Sequence, residues 1–299
     1  ALSTPVFAEN SDDSSEVINP SDLTRVYTQA AIFLDSNADI RMSGMMTGAW
    51  NDDIQFAGFA EGTLGNDKAK IKGQHKIGSD YQEGRAQYFQ VHALDSTLMP
   101  RVGFSTDLIH KNGEAGELKG SGLKDTTLFS AGAIGLINPA YTFGAKVFPN
   151  AAYTTGKVFG ESADGYMLNM FLTKEFGDSG SFVQLSPEYF KVSGDVVEME
   201  SSKLSLFISA PTQTDRTQWL MTRFEYGSAD VVLPDGTEID NDPELRVEIG
   251  MKWLTDHDAV FSRSENDEVS IGGNSDVGEG PLGEVCGFIS EMVSIDRGG

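Results

Sequence analysis

Charged side chains recur in this 299-residue chain at alternate positions of segments whose other positions are apolar. Arg246, Glu248 and Lys252 alternate with Leu245, Val247, Ile249, Met251 and Trp253. Arg41 falls between Ile40 and Met42, and Lys70, Lys72 and Lys76 fall among Ala69, Ile71, Gly73 and Ile77. Arg101, Lys146 and Arg223 hold the same kind of position, interspersed with Glu61, Asp107, Glu175 and Glu225. Such a set supports electrostatic sorting rather than covalent chemistry. Rings and ladders of charge bias which ions enter a narrow, partly dehydrated space. Tyr88, Gln90 and Asn169 are expected among them, as polar partners for sugar hydroxyls.

Other chemistry finds less support. The histidines His75, His92, His110 and His257 lie in different segments, and the chain has no Gly-x-Ser-x-Gly elbow, HExxH pair or phosphate-cradling glycine loop. His92 and Ser105 are near enough in strand order to meet, but such pairs arise by chance in strand-rich chains. The reading is therefore of a protein that is not an enzyme and needs no cofactor. In LPDGTEIDNDPE, 233–244, Asp235, Asp240 and Asp242 gather hard oxygen donors. Calcium is the metal this set suits, although the loop lacks the spacing of an EF-hand.

The elements that must position these residues are strands. In ELRVEIGMKWL, 244–254, side chains alternate between an apolar and a polar face, which β-structure keeps separate and a helix would scatter. From Asp39 onward the same pattern repeats about twelve times. The segments lie near 39–50, 54–61, 69–77, 86–95, 101–110, 125–137, 140–149, 165–177, 180–193, 203–211, 217–227 and 244–254. Each is roughly the length a tilted membrane strand needs. Short turns at Asn138-Pro139 and Asp178-Ser179-Gly180 alternate with longer connections at 111–124, 150–164, 194–202 and 228–243. Trp50, Tyr141, Phe176, Trp219, Tyr226 and Trp253 sit toward strand ends, where interfacial belts lie.

Composition narrows the partners. The formal net charge of -23 disfavours nucleic acid and anionic lipid surfaces. Cys286 is the single cysteine, so no internal disulfide and no cysteine-based zinc site can form. No apolar run approaches the roughly 20 residues of a membrane helix, which leaves a β-barrel open.

Four stretches follow. Residues 1–8, ALSTPVFA, read as the remnant of a signal peptide ending at Val-Phe-Ala. Residues 9–38 read as an acidic disordered segment followed by a short helix or plug over Ser21–Leu34. Residues 39–261 form the barrel, with the Asp39 strand rising from the periplasm and the 244–254 strand descending beside it. Residues 262–299 are an acidic, Gly-rich tail, disordered or inserted in the lumen.

From about Asp39 to Leu254 the alternation resembles that of a Gram-negative outer-membrane β-barrel of the porin type. The resemblance is one of pattern, without a diagnostic motif. It departs from the usual form because some forty residues follow Trp253 and Phe261, where such barrels end on a terminal aromatic. The fold it implies is all-β, a closed antiparallel up-and-down transmembrane barrel of about twelve strands in the bacterial outer membrane. The function it implies is passive diffusion of small solutes, with small anions or acidic oligosaccharides as one class of cargo and cations, favoured at the mouth by acidic external loops, as the other. The pore would be lined by Arg41, Lys70, Lys72, Lys76, Arg101, Lys146, Arg223, Arg246, Glu248 and Lys252. Outer-membrane lipid and lipopolysaccharide would surround it, and a homo-oligomer fits the class. Two alternatives stay open. One is a secreted soluble all-β protein that binds or cleaves carbohydrate, and the other is a structural barrel with a plugged lumen.

Overall fold

The computed structural model describes residues 27–256, apart from Asp52, Asp178 and Asn241. The expectations for residues 1–26 and for the segment after Asp256 lie outside the described residues. Thirteen strands are found among them. They are β1 Tyr27–Asp35, β2 Ile40–Asn51, β3 Ile54–Gly65, β4 Asp80–Ala93, β5 Arg101–Lys111, β6 Thr126–Leu136 and β7 Lys146–Val158. They continue with β8 Glu161–Phe176, β9 Ser181–Ser193, β10 Glu198–Pro211, β11 Gln218–Val232, β12 Glu238–Asp240 and β13 Glu244–Asp256. Each strand pairs antiparallel with the next in sequence, except that the three-residue β12 only flanks β11 and β13 takes its place in the wall. Pairing of β1 with β13, from Tyr27↔Asp256 to Asp35↔Glu248, closes a barrel of twelve strands.

The expected number of strands is right, but its members differ at two places. Ser21–Leu34 was expected as a helix or plug, and Tyr27–Asp35 is instead a wall strand. Without it the free edges of β2 and β13 would present unpaired backbone groups to lipid, at a cost of several kcal/mol per group by the general estimate of about that size. The segment 69–77 was expected as a strand. It is a one-turn helix, α1 Asp67–Lys70, followed by loop. Asn66 caps it through Oδ1, accepting from the Ala69 amide at 3.0 Å, and Gly73 at φ +63 turns the chain out of it. Alanine, lysine and glycine have little strand preference, so the local cap prevails over the alternation.

Replacing one strand by another reverses the direction of the strands between them. β2, which carries Asp39's neighbour Ile40, runs in the same sense as β13, not opposite to it. The connections 52–53, 94–100, 137–145, 177–180 and 212–217 lie on the rim where Tyr27 and Asp256 meet, here the terminal rim. Those at 36–39, 66–79, 112–125, 159–160, 194–197 and 233–243 lie on the opposite, or loop, rim. Two expected long connections are therefore short. β7 and β8 extend to Val158 and from Glu161, joined by Phe159 and Gly160, whose φ values of +50 and +87 suit a tight two-residue hairpin. β10 begins at Glu198, which leaves only 194–197 as its turn. Conversely, the turn at Asn138-Pro139 runs from 137 to 145 and includes a 3-10 turn at Pro139–Tyr141.

The outer face is apolar across most of the wall. Ile32, Leu34, Met46, Leu108, Leu168, Leu204, Ile208 and Leu220 all stand exposed on it. Leu245, Ile249 and Trp253 are 56%, 55% and 41% exposed, on a wall over which the described residues place no second sheet. That excludes the soluble sandwich, in which these three would be buried between sheets. Trp50, Tyr141, Phe143 and Phe176 are exposed toward the terminal rim, and Tyr81, Tyr153, Tyr166 and Tyr226 toward the loop rim. Two aromatic girdles of this kind flank the apolar band of a membrane barrel. Trp219 departs from the expectation. It is fully buried on the inner face, donating from Nε1 to the Arg216 carbonyl at 2.6 Å.

Candidate functional site: the barrel interior

Alternation that sends the apolar residues outward sends the ionisable ones inward, and the barrel brings nine of them into one belt. Arg41 on β2 donates to Glu61 on β3 and, across β1, to Glu248 on β13, where the Nε–Oε2 distance is 3.1 Å. Arg223 on β11 pairs with Glu225 and lies 3.6 Å from Glu248. Lys203 on β10 joins Glu225 at 3.9 Å to Glu188 on β9 at 3.4 Å. Arg85 on β4 closes the belt, reaching Glu188 at 2.8 Å and Asp107 on β5 at 2.5 Å. β4 and β9 lie nearly opposite one another in the strand order, so the Arg85–Glu188 pair spans the lumen.

The belt is nearly balanced in charge. Glu61, Asp107, Glu188, Glu225 and Glu248 supply five carboxylates, and Arg41, Arg85, Lys203 and Arg223 supply four cations. Ions this close together in a low-dielectric interior are retained only when paired, because an isolated charge there is costly. The inward cations of the belt are thus interleaved with acids that outnumber and neutralise them.

The ten expected lining residues separate into groups. Arg41, Arg223 and Glu248 are in the belt, and Lys146 lies near Glu175 at 3.2 Å, lower on the wall. Lys70 faces inward near the loop rim, with its ammonium 2.7 Å from Asp39 and 3.1 Å from Gln82. Arg246 is beside Asp35 at 3.5 Å. Arg101 lies by the terminal rim, 3.3 Å from the Asp53 carbonyl. Lys72 and Lys76 are exposed in the loop that follows α1 and face no lumen. Lys252 faces the lumen, as expected, yet stands apart from the belt.

Several interior residues escaped the sequence reading. Arg85 lies just outside the expected strand 86–95 and Lys203 at the first residue of 203–211, whereas Glu188 lies inside 180–193. The phase of Leu204 and Leu206 marks Lys203 as inward, which is the signal that could have found it. Tyr88 and Gln90, expected inside, are on the outer face, where Tyr88 packs between Phe56 and Phe104 and bonds Gln90. His92 shares that outer face while Ser105 is buried inside, so the two do not meet.

Toward the terminal rim from the belt, the same strands change character. Two to four residues along the strand from Glu61, Arg85 and Lys203 stand Phe59, Phe89 and Phe207, joined by Phe148, Phe171 and Phe182. Phe89 and Phe171 meet edge-to-face across the lumen, with ring centroids 5.7 Å apart. With the belt, these rings enclose a cavity of about 370 Å³. Lys252 projects into it, its ammonium 5.2 Å from the Phe182 ring centroid and 5.3 Å from that of Trp219. On the loop side, Leu128, Val158, Met167, Phe190, Val192, Val197 and Met199 pack into an apolar cluster on the β6–β10 side.

Two loops meet near the loop rim through Asp67. Its buried carboxylate accepts from Gln82 Nε2 at 2.8 Å, the Gly116 amide at 2.9 Å and Lys119 Nζ at 2.9 Å. Burial pushes this carboxyl up, but the hydrogen bonds from Gln82, Gly116 and Lys119 outweigh it and hold it below the usual carboxylate range. Asp235, one of the calcium candidates, serves its own turn. The Thr237 amide donates to it at 2.9 Å and holds it below its usual range, aided by the Thr237 hydroxyl. Among the described residues, no group of three or more acidic, histidine or cysteine side chains is disposed to hold a metal.

A closed antiparallel barrel with an apolar, aromatic-girdled outside and an ionic inside is a β-barrel of the bacterial outer membrane, porin-like in build. No family model and no curated relative matches the chain. Among solved structures it is similar to the KdgM porin at 8% identity, over 76% of this chain and 98% of that one, with a TM-score of 0.42. It is similar to the NanC porin at 7% identity over 76% and 98% (TM-score 0.43), and to LpxR from Salmonella typhimurium at 9% over 76% and 99% (TM-score 0.41).

Proposed function

We propose that this barrel is a passive channel for small solutes, with the charged belt as its narrowest layer and a weak preference for anions. The observation that supports it is the lumen itself: inward-facing charge and a cavity of about 370 Å³ within a wall whose outside is apolar. The three longest connections, 66–79, 112–125 and 233–243, lie on the rim opposite the outer ends of β1 and β13, and by the habit of this class the rim without long loops faces the periplasm. Outer-membrane lipid is then the partner of the apolar band. Because belt acids offset belt cations, the anion preference rests on Lys252, not on the lysines at 70, 72 and 76. The cavity is at the low end of the range for drug-sized ligands, roughly 300–1,000 Å³, so single-ring solutes suit it better than acidic oligosaccharides.

Insertion of the purified, folded protein into planar bilayers tests this. Discrete conductance steps with a reversal potential on the anion side in a salt gradient are expected. Silent insertion would favour a plugged structural barrel instead. The Arg85–Glu188 span and the apolar cluster around Met167 support that second reading. The parent's conductance separates the two: a silent parent that conducts only as Arg85→Ala, which removes one end of the span, is the plugged barrel, and a parent that already conducts is the channel.

A further inference from the structure

We propose that the chamber below the belt is a binding site for a small amphipathic aromatic carboxylate. The inference rests on the channel reading only for how the solute arrives, since binding in the chamber needs no transport.

Three features converge on this chemistry. The first is an ammonium without an anion. Lys252 is 6% exposed, and among the described residues no carboxylate stands within ion-pairing distance of it. Its neighbours are the faces of Phe182 and Trp219, which attract a cation but do not neutralise it. Every other buried cation of the interior described above has an acid beside it. A buried charge kept unpaired suits a ligand that brings the counter-charge.

The second feature is a buried amide with nothing to bond. Asn169 on β8 is 7% exposed and lines the same cavity, yet neither its Oδ1 nor its Nδ2 has a hydrogen-bond partner. Neighbouring polar groups are satisfied: Asn150, directly opposite on β7, accepts from the Ser105 hydroxyl at 2.7 Å. Buried side-chain amides are nearly always bonded, so two orphaned atoms on one side chain mark a place where a polar group belongs.

The third is the wall between them. Phe59, Phe89, Phe148, Phe171 and Phe207 present ring edges and faces to the cavity. Aromatic rings pack edge-to-face or offset against one another with centroids about 4.5–7 Å apart, a preference an alkyl chain does not share. A ligand with one aromatic ring and a carboxylate on a short arm would place the ring among the phenylalanines and the acid on Lys252. A hydroxyl or ether elsewhere on it would meet the Asn169 amide once that side chain turns, because both of its polar atoms are sealed from the cavity as they stand.

The test uses the folded full chain in detergent and 3-phenylpropionate as probe, followed by isothermal titration calorimetry. The fluorescence of Trp219, in a background with Trp50→Phe and Trp253→Phe, gives a second readout at the site. Saturable binding is expected, with Lys252→Met weakening it about tenfold or more, the loss of roughly 1.4 kcal/mol. Lys252→Arg should retain most of the affinity and shows that the loss is one of charge, while migration unboiled in SDS verifies that each variant is folded. Asn169→Ala should weaken probes that carry a ring hydroxyl more than 3-phenylpropionate itself. The uncharged 3-phenylpropanamide and the ring-free hexanoate should each bind at least several-fold more weakly.

No saturation by 3-phenylpropionate, equal binding to Lys252→Met, or equal binding of hexanoate would each overturn the proposal. Binding without conductance would defeat the channel and leave the chamber standing. Conductance without binding would do the reverse.

Discussion

The belt and the chamber are adjacent layers of one lumen, built from the same strands a few residues apart, and they treat buried charge in opposite ways. In the belt each cation lies against a carboxylate, and Arg85 even crosses the lumen to find one. In the chamber Lys252 is set among rings, and no acid of the described residues stands near it. A paired layer holds the wall together and narrows the passage. An unpaired charge in an aromatic chamber does little for the wall and is available to a solute. The contrast assigns structure to one layer and recognition to the other.

The largest effect should come from breaking the belt. Arg85→Ala leaves Asp107 without a cation inside the barrel and Glu188 with Lys203 alone, and removing one partner of a buried pair costs about 3–5 kcal/mol. Urea unfolding followed by tryptophan fluorescence should show that loss together with a rise in single-channel conductance. In the chamber, Lys252→Met should leave stability within about 1 kcal/mol of the parent, because it orphans no acid and replaces a buried ion by an apolar side chain. Equal destabilisation by the two variants would erase the distinction between the layers.

Gly250→Ala should fall between them. Its added Cβ would collide first with the Ile32 carbonyl oxygen and then with the Phe33 ring, which rests on that glycine beneath the Arg41 guanidinium. Overpacking of this kind costs about 1–3 kcal/mol.

A smaller effect is expected at the loop rim. Asp67→Asn should loosen 66–79 and 112–125 locally, read as faster proteolysis or hydrogen exchange in those loops with the barrel intact. The folded Asp67 carboxyl is held below its usual range, so its contribution is complete above that range and is lost as pH falls through the depressed value. Loop protection should therefore be flat from neutral pH down to about pH 4, by the usual aspartate value, and decline only in stronger acid. The smallest effect belongs to Lys72→Glu with Lys76→Glu. Both are exposed in a loop, so stability should stay within about 0.5 kcal/mol. The reversal potential should move less than it does for Lys252→Met.

How far each part could be read from the chain depends on what surrounds it. The lipid-facing side meets a uniform medium, so Leu245, Ile249 and Trp253 declare their face by alternation alone. Tyr27–Asp35 alternates too, with Gln29, Ala31 and Phe33 inward, but its neighbours also suit a helix, and only the need to close two edges decides the matter. At α1 the alternation misled, because the cap at Asn66 and the turn at Gly73 act over a few residues and leave the period of 69–77 untouched. The inward positions were legible as inward in most strands, and Arg41, Arg223, Glu248 and Lys252 were placed correctly on that ground. Which acid each would meet was not legible.

The sequence by itself determined an all-β chain with one oily face, strands of membrane length and a set of charges on the other face. Those properties follow from the order of residues along single strands. The tertiary structure decided that Arg85 reaches Glu188, that Phe89 meets Phe171, and that Lys252 has no acid among the described residues within reach. Each of these is a distance across the lumen between strands far apart in sequence. Such distances depend on the closure and stagger of the whole wall, which no single strand specifies.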